Sequence, residues 1–289
     1  MPYLLALCSA FTAALGAAFQ DKEMSSYSKE EAKGLRLILT SLSRPMWWLG
    51  LAVMVGSPVF QYLALRVGNL TQVQPMLTCE LLFILAIIVV THHQRPGRIE
   101  WIGALAIVGG LAMFLIAAAP SGDVSDISAT QAVVITFGAL VLVGAFFFGS
   151  KGASGWARAA GLGAAAATCF AYQAAMTQII AGAPFGWGLL RQPALYALAV
   201  AGISGFLLFE HALNAGHIAS SRAAMVIVDP FLSVVLGLSV FQDHIEHTPV
   251  RLVFELVGLA ILFYGAKTLA TSPLIAEIDP EPSVGAAES

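Results

Sequence analysis

Long apolar runs alternate with short polar connections along almost the whole chain. A bilayer crossing needs roughly 20 mainly apolar residues. On that ruler nine spans are predicted, at about 2–20, 46–65, 69–91, 101–118, 131–149, 158–182, 193–213, 217–241 and 250–270. Trp47 and Trp48 open the second, as aromatic residues do at a membrane interface. The connections His92–Arg98 and Pro120–Asp123 are plainly polar, and Ala183–Gly188 is a loop. Residues 271–289 hold Pro273, Pro280, Pro282 and several acids, the composition of a disordered tail.

Two of the runs carry an acid where a crossing would be deepest. Ala64-Leu65-Arg66-Val67-Gly68 is followed by an apolar run containing Pro75 and Glu80. Ala212-Leu213-Asn214-Ala215-Gly216 is followed by one containing Asp229 and Pro230. Counting from the glycines, the acid lies twelve residues on in the first copy and thirteen in the second. An ionisable group at that depth costs about 3 kcal/mol or more, which marks it as a candidate functional residue.

The echo extends to neighbouring spans. Phe19-Gln20 answers Phe170-Ala171-Tyr172-Gln173, and Gly103, Gly109 and Gly110 answer Gly258 and Gly265. The predicted organisation is therefore a first four-span repeat (1–118), a connecting span with its linkers (119–157), a second repeat (158–270) and the tail (271–289). One intervening span reverses the second copy, so the repeats are inverted, as in many secondary transporters. The expected fold class is all-α, a polytopic membrane helix bundle.

Composition agrees. Hydrophobic residues make up 58% of the chain and charged residues only 11%, with a mean hydropathy of +0.82. A soluble domain carries about a quarter charged residues. The net charge of −3 adds little, but its distribution is informative. Lys22, Lys29, Lys33, Arg36, Arg44, Arg95, Arg98, Lys151 and Arg158 fall on one side of the predicted topology, with Lys267 near it. Only Arg66, Arg191 and Arg251 approach the other side. The positive-inside rule puts the C-terminus in the cytoplasm and the N-terminus outside a cell membrane. No basic residue precedes the first apolar run, so a retained span is favoured there over a cleaved signal peptide. Cys8, Cys79 and Cys169 lie far apart in apolar segments, read as small buried hydrophobes rather than a disulfide or metal set.

The segment Ala212-Leu213 through Ala219-Ser220-Ser221-Arg222-Ala223 to Asp229-Pro230-Phe231, and on to Leu236-Gly237 and Asp243, resembles the second-half signature of the drug/metabolite transporter superfamily, with EamA-like domains. Gly68-Asn69-Leu70-Thr71-Gln72-Val73-Gln74-Pro75 is similar to its NIPA-type magnesium transporter branch, which the nine-span organisation also fits. The resemblance implies an inverted-repeat carrier for a small metabolite, or for Mg²⁺. It departs at Asp243, where the superfamily has Glu.

Glu80 and Asp229 are the central candidates. Two carboxylates facing one cavity repel, an arrangement suited to proton coupling. As hard oxygen donors they also suit Mg²⁺, which keeps several waters and takes one or two carboxylates. Pro75 and Pro230 are expected helix breaks that free the carbonyls of Thr71 and Val226. Gln61, Gln74, Tyr172 and Gln173 are polar groups that line a path or bond between helices. Glu210, Asn214 and Arg222 could gate an inner vestibule. The plainer reading makes the first two an aqueous helix end and sends Arg222 to the interface. Arg251 and Glu255 read as a surface ion pair.

His92-His93 and His244/His247 lack companions at ligand spacing, so no cofactor is expected. There is no phosphate-binding Gly-Lys-Ser/Thr loop and no triad spacing, and enzymatic chemistry is not expected. The partners implied are a lipid bilayer and a small-molecule or ion substrate, and not nucleic acid. A homodimer stays open, as does a membrane scaffold or lipid-handling role without transport.

Overall fold

The computed structural model describes residues 1–24, 45–92, 95–118, 127–153, 155–184, 186–213, 215, 218–241 and 248–276. Asn214, Asp243, His93, His244, His247, the tail beyond 276 and Lys29, Lys33, Arg36 and Arg44 lie outside the described residues. Among those described, all regular structure is helical. In chain order the helices are α1 (Pro2–Met24), α2 (Pro45–Val67), α3 (Leu70–Leu77), α4 (Glu80–His92), α5 (Arg98–Ala118), α6 (Ala129–Gly149), α7 (Trp156–Gly182), α8 (Pro193–Leu213), α9 (Ile218–Ser239), α10 (Pro249–Ala270) and α11 (Pro273–Ala276). A 3₁₀ turn, Trp187–Arg191, precedes α8.

Seven stretches among the described residues have the length and composition for a bilayer crossing: Pro2–Phe19, Leu70–Thr91, Arg98–Ala118, Thr130–Gly149, Pro193–Leu213, Ser220–Ser239 and Pro249–Ala270. The second is α3 and α4 together. Helices α2 and α7, of 23 and 27 residues, run alongside them.

Local chemistry sets several helix starts. The Asn69 side chain accepts from the Gln72 N–H, and the Thr248 hydroxyl accepts from the Arg251 N–H with Pro249 just inside the helix. Ser128 and Gln131 form a reciprocal capping box. The Nε2 of the same Gln131 side chain donates to the Val240 carbonyl at 3.1 Å, tying the start of α6 to the end of α9.

Packing follows small residues, since lipid tails are as apolar as leucine and close backbone approach must supply the contact. Helix α1 lies along α2, where Ser9 Oγ bonds the Ser57 carbonyl at 2.9 Å. Helix α7 is the most enclosed, flanked by α6, α8 and α9, and its buried face carries Gly163 and the run Ala164–Ala167. The most extensive pairing joins α5 to α10. A Cβ on Gly265 would meet the Gly103 carbonyl oxygen at 2.7 Å, and one on Gly110 would meet that of Gly258 at 2.7 Å. Gly109, grouped with them on sequence, has nothing within 4 Å of its Cβ direction and takes no part.

The densest apolar core sits at one end of the bundle. Ala6, Ala10, Ala64, Leu65, Leu70 and Val73 are buried there and pack into one cluster with Ala194 and Phe241. That end contains the start of α1, the end of α2, all of α3 and the start of α8. The other end is less filled.

Candidate functional site

The run predicted as a single span at 69–91 is two helices. The break falls at Thr78-Cys79, not at Pro75, which stays inside α3. At the break the backbone tightens to three-residue bonds, from Thr78 N–H to Pro75 O at 3.3 Å and from Cys79 N–H to Met76 O at 3.1 Å. The Thr78 hydroxyl also donates to the Pro75 carbonyl at 2.6 Å. Proline disturbs the turn before it, but the Thr78 cap decides where helical bonding stops. Glu80 consequently stands in the first turn of α4, where the helix dipole favours an anion.

Asp229 is held differently. Helix α9 runs without interruption from Ile218 to Ser239, so Pro230 is no break either. It deprives only the Val226 carbonyl of its usual donor, too little to end a helix of 22 residues packed along α7. The Ser233 hydroxyl, one turn on, donates to Asp229 Oδ1 at 3.4 Å. Glu80 is the eleventh of the 22 residues Leu70–Thr91, and Asp229 the tenth of the 20 residues Ser220–Ser239. Both acids are thus at mid-depth.

They face one hollow. A cavity of about 630 Å³ has Glu80, Asp229, Arg222, Gln61, Gln74 and Gln173 in its wall. Its apolar lining includes Leu77, Leu81, Ile84, Phe170, Phe209 and Met225. Val226, with the carbonyl that Pro230 leaves short of a donor, is also in the wall. At 1.5 Å per residue, Gln74 lies about 9 Å from Glu80 along the helix direction, towards the dense core. Arg222 lies about 10 Å from Asp229 in the opposite sense. Phe209 and Ala270, near the ends of α8 and α10, extend the wall on Arg222's side. The cavity therefore runs from the packed end, through the acids, towards the end of the bundle where α1, α4, α8 and α10 finish.

Gln74 is only 3% exposed, and its Nε2 has no hydrogen-bond partner. Gln173 Oε1 likewise lacks one; its amide rests against Gly202 of α8, where a Cβ would come within 3.1 Å. Two glutamine amides in the wall are thus left with an unmet polar atom.

Other expected site residues are elsewhere. Thr71 is fully buried in α3 and off the cavity. Tyr172 turns away from it, because its hydroxyl pairs with Thr136 Oγ1 of α6 at 2.9 Å. Glu210 is on the exposed face of α8 and Phe209 takes the wall position instead. Arg222 is in the wall, rather than only at an interface. Glu255 is buried at 5% exposure, which removes it from the surface. Among the described residues no group of three His, Cys, Asp or Glu could hold a metal ion.

Sequence reasoning missed Ser57, Phe170, Phe209 and Met225, and for Phe209 and Met225 the signal that finds them is register. Gln61 and Phe209, Gln74 and Arg222, Leu77 and Met225, and Thr78 and Val226 each stand 148 residues apart, and all eight line the cavity. The offset is the one that superposes Ala64-Leu65 on Ala212-Leu213.

The chain is a multi-pass membrane protein. An uncharacterized protein of Corynebacterium glutamicum is 25% identical to it over 280 residues, covering 93% of each chain. That similarity runs through the cavity-forming helices and is not confined to one of them. No protein-family model and no solved structure matches the chain.

Proposed function

We propose that the protein is a secondary carrier of the drug/metabolite transporter type. Substrate binds between two inverted four-helix halves and reaches either side of a cell membrane by alternating access. Counting α2 and α7 as crossings makes nine, with α6 joining the halves, the N-terminus outside and the C-terminus in the cytoplasm. The observation that carries the reading is the shared register of the cavity wall: positions 148 apart in sequence contribute to the same hollow.

Helix pairing supports the same symmetry. Helix α1 packs on α2 as α7 packs on α8, and α1 packs on α3 and α4 as α7 packs on α9. The acids at mid-depth then fall where substrate and coupling ion sit in carriers of this design. With its dense core at the outer end and its cavity reaching the positively charged side, the conformation is inward-facing.

The divalent-cation alternative would rest on Glu80 and Asp229 as oxygen donors, with Mg²⁺ keeping most of its waters. The largely apolar wall favours an organic solute. A scaffold role would leave two acids at mid-depth without a use.

The test is flux into proteoliposomes under an imposed pH gradient, across a panel of amines, amino acids and divalent ions. Wild type is expected to move at least one solute above empty liposomes, and Asp229→Asn to lose that flux. A phenotype indifferent to both Asp229→Asn and Glu80→Gln would remove the carrier reading.

A further inference from the structure

We infer that Gly202 of α8 determines how wide a solute the cavity admits, by leaving room behind the wall for the Gln173 amide. The inference rests on the carrier reading and gives it a selectivity residue that lies outside the wall itself.

Two side chains of α7, Phe170 and Gln173, line the cavity. Both also lean on α8, and each does so at a glycine. A Cβ built on Gly202 would lie 3.1 Å from Gln173 Oε1 and 3.5 Å from its Cδ. One built on Gly205 would lie 3.0 Å and 3.2 Å from Cε1 and Cζ of the Phe170 ring. The glycines are three residues apart, as are the side chains they receive, so both contacts fall on one face of each helix. Neither glycine is itself in the wall. Helix α8 is thus a backing layer with two notches, and the wall is set back into them.

Backbone conformation does not ask for glycine here. Among the described residues only Gly155 and Gly186 have positive φ. Inside a helix alanine is the better former, so a glycine there is a cost. At Gly202 and Gly205 the return on that cost is space.

Gly202 is the cleaner of the two. The three atoms nearest its Cβ direction all belong to the Gln173 amide. At Gly205 the Cβ of Cys169 is also 3.1 Å away, which ties that glycine to the spacing of the helices as well. Gln173 Oε1 has no hydrogen-bond partner, so no bond to that oxygen has to break when the amide moves. With α8 behind it, the side open to Gln173 is the cavity it lines. A methyl group at Gly202 therefore drives the amide forward and narrows the hollow from the α7 side.

The experiment uses the full-length protein in detergent, with Cys8, Cys79 and Cys169 replaced by alanine and Met225→Cys as the reporter in the wall. Its reaction with N-methylmaleimide is compared with that of N-(1-pyrenyl)maleimide, a wide reagent with the same reactive group. Gly202→Ala should slow the wide reagent about tenfold, a step of the size one methylene makes in a filled pocket, and leave the narrow one nearly unchanged. The melting temperature of Gly202→Ala should not fall, and should rise by about 2–4 °C from the better helix former. Gln173→Ala added to Gly202→Ala should restore the wide reagent's rate, which a general loosening of the fold would not do. Gln173→Ala alone should leave both rates nearly as they were, because the amide is already set back. An unchanged wide-reagent rate in Gly202→Ala, equal slowing of both reagents, slowing that Gln173→Ala does not restore, or failure of Gly202→Ala to fold overturns the inference. A wild type that moves no solute in liposomes while labelling follows the expected pattern removes the carrier and keeps the glycine's control of cavity width.

Discussion

Gly110 of α5 lies so close to Gly258 of α10 that a Cβ on the first would sit 2.7 Å from the carbonyl oxygen of the second. The Leu262 backbone is nearer still. Backbone cannot rotate aside as a side chain can. Gly110→Ala should therefore cost about 1–3 kcal/mol, the usual penalty of overpacking a tight contact. Gly109→Ala, one residue away with open space at its Cβ, should change stability by less than about 0.5 kcal/mol. Thermal unfolding of the two variants in detergent measures the contrast.

Neighbouring residues on α7 should behave in opposite ways. Tyr172→Phe removes the hydroxyl bonded to Thr136 at 2.9 Å and should cost about 1 kcal/mol of stability with transport kept. Gln173→Leu changes the cavity wall and should raise the KM for a transported solute while the fold survives. Flux and melting temperature, measured together on both variants, separate the two roles.

The helix break has its own signature. Thr78→Val removes the hydroxyl that bonds the Pro75 carbonyl at 2.6 Å and should destabilise by about 1 kcal/mol, the worth of one hydrogen bond. Amide exchange over residues 75–82 should quicken in that variant before exchange elsewhere does.

The inward-facing reading predicts one-sided chemistry. In a variant without Cys8, Cys79 and Cys169, a cysteine placed at Phe209 or Ala270 should react with a membrane-impermeant maleimide only from the positively charged side. A cysteine at Leu70, fully buried in the packed end, should react from neither. Labelling in right-side-out and inverted vesicles decides it, and equal reaction of Leu70→Cys from the opposite face would refute the assigned conformation.

Element bounds were largely legible in the sequence because apolar length is a strong signal. The run expected at 193–213 is helix α8 from Pro193 to Leu213, and most others begin or end within a few residues of their expected limits. The place of Glu80 and Asp229 midway along their apolar stretches was legible for the same reason: charge stands out against a continuous apolar background. What failed was part of what rotation about a helix axis sets, although Gln61, Gln74 and Gln173 do reach the wall. Tyr172 and Gln173 are equally polar and adjacent in sequence, yet only contact with Thr136 decides which turns inward. Thr71 was misplaced on the same count, whereas Glu210 is exposed at the end of α8, as its plainer reading had it. Pro75 and Pro230 look like breaks, but a proline removes one bond, and the site of rupture in the first half was chosen by Thr78. The 148-residue register was available in the letters and becomes meaningful only once one hollow gathers its members.

Helix α9 crosses the protein as one rod, whereas its counterpart is jointed between Leu77 and Glu80. A rod moves by tilting as a whole; a jointed piece of eight residues swings like a hatch on its own pivot. Under the proposed carrier mechanism the two doors are therefore different machines. Their opening rates should respond separately to temperature and to lipid thickness, and the outer door should be the one that yields to changes at a single residue.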